Sequence, residues 1–148
     1  MHKRIAWASL LAVALFLDGC GSSSVPGRNN INGDWTATLT NSDGSLAYQF
    51  SATFTQGSGS ELSITNLTYT TSSSCPVLAS LNSAGGSFTP STETLAMSEI
   101  FMNVGGPMLS LQGKLSSGTI SGQWTLNGLV PPCSGSGTFM MQPILPLP

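Results

Sequence analysis

The only histidine in the chain is His2, so beyond the second residue no imidazole is available as a general base or metal ligand. Ser-His-Asp and Cys-His arrangements are excluded there, as is any histidine-bound zinc or copper. Serines are abundant, but Lys114 has Leu111 three residues before it, so no Ser-x-x-Lys pair sits with it. Carboxylates remain at Asp34, Asp43, Glu61, Glu93 and Glu99. A glycosidase needs two of them facing one bond at about 5–9.5 Å. Glu93 and Glu99, six residues apart on one strand face, would stand about 20 Å apart. Cross-strand carboxylate pairs stay open beside the plainer reading of five solvated surface charges. The chain is expected not to be an enzyme, and to hold no metal or cofactor.

The start of the chain carries an address. Met1-His2-Lys3-Arg4 is a positive leader, and Ile5 to Leu17 is an apolar run of secretory length, too short to span a bilayer. It ends in Leu17-Asp18-Gly19-Cys20. That ending resembles the lipobox of bacterial lipoproteins. The resemblance implies removal of residues 1–19 and acylation of Cys20, palmitate included, which would tie the protein to a membrane. The alternative is an ordinary signal peptide cut near Gly19, with Cys20 unmodified. The residue after Cys20 is Gly21 rather than an aspartate, a pattern that resembles outer-membrane sorting. The expected location is the cell envelope, at the outer membrane facing the periplasm if the cell has two membranes. Residues 20–32 read as a lipidated tether of linker composition, with a root-mean-square reach of about 20 Å and a limit of about 40 Å.

With Cys20 given to lipid, Cys75 and Cys133 form an even pair in an oxidising compartment, which reads as one disulfide. Their separation of 58 positions sets a chain-entropy gain of about 4 kcal/mol. A metal or redox role lacks both close Cys-x-x-Cys spacing and a histidine partner. The 129 residues from Cys20 onward suit one domain. Arg28 and Lys114 stand against five carboxylates, a net −3, and nowhere is there a basic patch. Nucleic acid is therefore not an expected partner.

The dominant period is two. Tyr48, Phe50, Ala52 and Phe54 alternate with polar residues, as do Trp35, Ala37 and Leu39, Leu109 and Leu111, and Ile120, Trp124 and Leu126. This predicts strands with one buried face, over roughly 33–40, 45–56, 60–70, 76–81, 85–89, 93–103, 108–115, 119–126 and 134–142. Hairpin-sized turn signals lie between them, including Asn41 to Gly44, Ser83 to Gly86 and Ser116 to Gly118. The expected fold is all-β: an antiparallel up-and-down meander of eight or nine strands over 33–142, closed or nearly closed into a barrel. The alternative is a β-sandwich. A slip of the apolar phase between Ile64 and Leu67 predicts a bulge near Thr65-Asn66. Residues 143–148 read as an extended proline-rich tail.

Ile31-Asn32-Gly33-Asp34-Trp35-Thr36 and Ile120-Ser121-Gly122-Gln123-Trp124-Thr125 share the pattern Ile-x-Gly-x-Trp-Thr. The first copy, opening the first strand, resembles the Gly-x-Trp motif of the lipocalins. The resemblance implies that Trp35 plugs one end of the barrel, with Gly33 permitting close approach of the ring. It also implies a small apolar or amphipathic ligand inside.

Inward candidates for that ligand are Tyr48, Phe50, Phe54, Leu109, Leu111 and Trp124, with Met97, Met102, Met108, Met140 and Met141 as a pliable lining. The competing expectation is that these side chains simply fill a solid core, leaving a structural or protein-interaction lipoprotein. The run Ile100-Phe101-Met102 puts apolar residues on both faces of a strand. It is expected to be covered by the tail around Leu145 and Leu147, by self-association, or by an envelope protein.

Overall fold

The computed structural model describes residues 30–70, 81–101, 108–128 and 134–145, with the backbone alone for 81–83 and 99–101. Eight antiparallel strands follow one another in chain order: β1 (Gly33–Asn41), β2 (Leu46–Gln56), β3 (Glu61–Tyr69), β4 (Leu81–Thr89), β5 (Thr94–Phe101), β6 (Met108–Ser116), β7 (Thr119–Asn127) and β8 (Gly135–Pro143). Each pairs with the next, and β8 returns to β1, so the sheet closes into a barrel with no crossover. A single sheet that meets itself puts every alternating apolar face toward one axis, which is why two-fold periodicity suffices to build the core. The fold is the meander barrel, not a sandwich.

The connections differ at the two ends. At the near end, where β1 starts and β8 stops, the strands are joined by short turns over 57–60, 90–93 and 117–118. Ser117 and Gly118 both have positive φ, 51° and 79°, and Ser116 pairs with Thr119 across them. These are the features of a two-residue type I′ hairpin, whose twist matches that of the strands. At the far end the β1–β2 turn is closed by Asp43, whose Oδ1 accepts from the Ser45 N–H (2.9 Å) and hydroxyl (2.6 Å). Those two donors favour the carboxylate and hold Asp43 below its ordinary pKa.

Three sequence expectations meet corrections here. Ser83 to Gly86 is not a turn but the middle of β4, paired with β5, so residues 81–89 are one strand. Residues 76–80 lie outside the described residues. Glu93 is not in β5; it occupies the preceding turn with φ 56°, and so it does not share a strand face with Glu99. The described part of the apolar tail is not beside Phe101: Ile144 follows β8 at the near end, donating its N–H to the Asp34 carbonyl, whereas Phe101 pairs with Leu81 at the far end, and Leu147 lies outside the described residues. The bulge does fall at Asn66 and Leu67. Ser51 pairs with Thr68 and Thr53 with Thr65, leaving Asn66, at φ 51°, and Leu67 opposite Ala52.

One seam is short. The β3–β4 pairing consists of Glu61–Ser87, Leu62–Gly86 and Ser63–Gly85, and among the described residues it goes no further. Beyond it Ile64, Leu67 and Tyr69 are half-buried against the core rather than enclosed by it.

Candidate functional site

The interior is the first candidate. Strand phase aims Tyr48, Phe50 and Phe54 of β2, Leu109 and Leu111 of β6, and Trp124 of β7 inward, and all six are buried. They are packed against one another and their neighbours. Tyr48 meets Trp124 edge-on (5.6 Å, 78°), and Phe50 leans on Tyr69 (5.5 Å, 56°). A side chain beside a hollow large enough for water would be touched by that water. Trp35, Ala37, Leu39, Phe50, Leu109 and Leu111 are 0% accessible, so no such hollow adjoins them. Burial also raises the Tyr48 pKa above its ordinary value, because the phenolate would lose its hydration there.

Two tryptophans are buried in the barrel at different depths. Trp35 pairs with Pro143 and Trp124 with Gly137, six residues apart along β8. Trp35, near the start of β1, is fully buried, stacks on Phe54 (6.3 Å, 28°) and donates its indole N–H to the Ile31 carbonyl at 2.8 Å. Ile31 is itself wholly buried, so barrel packing begins inside the segment that reads as tether. The glycines of the two Ile-x-Gly-x-Trp-Thr copies do different things. Gly33 has open space where a Cβ would stand, but its φ of 121° suits glycine alone. Its role is therefore backbone conformation and not close approach of a ring. Gly122 is the reverse: a Cβ there would collide with the Gln112 carbonyl on β6.

Of the methionines expected to line a cavity, Met97 and Met141 are inside. Met108 (38% exposed) and Met140 (50%) are not, because they are out of phase with Leu109 and with Phe139 and Met141. Met102 lies outside the described residues, as do Cys20, Cys75 and Cys133; of Ile100 and Phe101 only the backbone is described.

The outer wall offers a second candidate, which sequence reasoning missed. A groove of about 470 Å³ runs over β4, β5 and β6, lined by the outward Ser87, Ala96, Ser98, Met108, Ser110 and Gln112, with Met97 and Leu111 of the core at its floor. The signal for it was small side chains at outward positions of three neighbouring strands. It holds no titratable group and so carries no acid–base chemistry. Among the described residues no three Asp, Glu, His or Cys side chains converge on a point that could hold a metal. No protein-family model, no curated protein and no solved structure matches the chain.

Proposed function

We propose that this is an exported lipoprotein, held in the cell envelope by acylated Cys20, whose solid barrel acts through its outer surface rather than by carrying a ligand. The observation that supports the reading is the burial of the interior, where Trp35, Ala37, Leu39, Phe50, Leu109 and Leu111 are wholly inaccessible to water. An eight-stranded barrel sits at the size where side chains alone can fill the lumen. The segment Ile100-Phe101-Met102 belongs to this proposal as an association surface, for a second copy or an envelope protein. The test of anchoring is palmitate labelling with cell fractionation. Wild type should be labelled and sediment with membranes, and Cys20→Ser should be unlabelled and soluble or unprocessed. A cleaved, unlabelled wild type contradicts the anchor.

A second reading, a small apolar ligand, is favoured by one feature only. Half-buried Ile64, Leu67 and Tyr69 stand beside the short β3–β4 seam, where an apolar molecule would find the least closed wall. Saturable, one-to-one uptake of a fluorescent fatty acid by the soluble domain would establish it.

A further inference from the structure

We infer that the near end of the barrel rests on the lipid bilayer, with Ile144 and Leu145 seated in its apolar surface; this rests on the acylation of Cys20 proposed above. Strands β1 and β8 are neighbours, and the Ile144 N–H donates to the Asp34 carbonyl at 2.8 Å, so the chain enters and leaves the barrel side by side. Directly past that bond Ile144 is 50% and Leu145 61% exposed. Two exposed aliphatic residues are ordinary on their own. Their place is what matters. Only residues 21–30 separate Cys20 from buried Ile31, a span with a root-mean-square reach of about 17 Å. A tether that short holds the pair against the membrane at an effective concentration of about millimolar, so a contact too weak to bind a free protein can orient a tethered one.

The charge at this end says which kind of contact it is. Asp34, Glu61 and Glu93 lie there with Lys114 as the single described cation, so adsorption to anionic headgroups is opposed. The contact is apolar and insensitive to salt. It points the opposite end, with the connections after β1, β3, β5 and β7, away from the membrane.

The experiment uses lipidated mature protein in phosphatidylcholine vesicles with brominated acyl chains, carrying either Leu145→Trp or, at the far end, Leu46→Trp. Trp35 and Trp124 are buried and contribute a constant background. The indole at position 145 should shift to the blue and be quenched, and quenching should persist in high salt; the one at position 46 should show neither. Equal quenching at both positions, or none at 145, in protein whose mass includes lipid on Cys20 overturns this inference alone. A mass without lipid on Cys20 overturns the anchoring reading and this one with it.

Discussion

The indole N–H of Trp124 donates to the carbonyl of Thr40, 84 residues away in sequence and two strands around the barrel, at 3.0 Å. Between them runs β8, and it is glycine at the crossing point: a Cβ at Gly137 would sit 2.9 Å from the indole nitrogen and collide with the Thr40 carbonyl. One side chain thus fastens β7 to β1 across a strand that has been cut away to let it pass. Trp124→Phe keeps an aromatic ring but removes the donor and part of the indole's volume, and should cost about 1–3 kcal/mol or more in urea unfolding. Gly137→Ala should destabilise as well, by forcing the indole off its acceptor. No loss in either variant would mean that the crossing is incidental.

Trp35→Ala should lower stability by about 3–5 kcal/mol, since it empties a wholly buried aromatic site against Phe54 and Ile31. Calorimetry or denaturant titration reads this directly. A loss under about 1 kcal/mol would mean the near end collapses around the gap.

Ser117 holds a left-handed backbone conformation that asparagine adopts more readily. In a type I′ turn followed by glycine, Ser117→Asn should raise stability by about 0.5–1 kcal/mol, a fraction of the usual strain at such positions. Urea midpoints at constant slope would show it.

The raised pKa of Tyr48 has a sign that can be checked. The neutral phenol is favoured in the fold, so its contribution is intact below the ordinary tyrosine pKa of about 10. It is lost as pH rises through the higher folded value. Stability should therefore fall in alkali above about pH 10, and Tyr48→Phe should flatten that fall. An unchanged slope in the variant would assign the loss elsewhere.

Cys75 falls between β3 and β4 in sequence and Cys133 between β7 and β8, both outside the described residues. Thiol titration of exported protein should find neither free, and Cys75→Ser with Cys133→Ser should cost about 4 kcal/mol less any native strain. Two titratable thiols in oxidised, folded protein would rule the bridge out.

The barrel was legible because alternation such as Tyr48, Phe50, Ala52, Phe54 is a local signal that a sheet closed on itself must preserve. The Asn66 bulge was legible for the same reason, as a one-residue slip in that phase. β4 was not. Ala84-Gly85-Gly86 is turn chemistry taken locally, and only seven-residue pairing with β5 from Ser83 to Thr89 overrides it. The inward set Tyr48, Phe50, Phe54, Leu109, Leu111 and Trp124 could be read from parity. Whether it encloses a space could not, since that depends on how volumes from strands distant in sequence, such as Tyr48 and Trp124, fit together. The outer groove was hidden for a related reason: its small residues come from three strands, and no one of them is unusual alone.

Native mass spectrometry of the protein extracted from its own membranes tests the central claim most directly. A lipid-anchored solid barrel predicts a chain beginning at Cys20, its mass increased by covalent lipid, and the same mass after denaturation. An unlipidated mature chain, or a stoichiometric molecule released on denaturation, would contradict it.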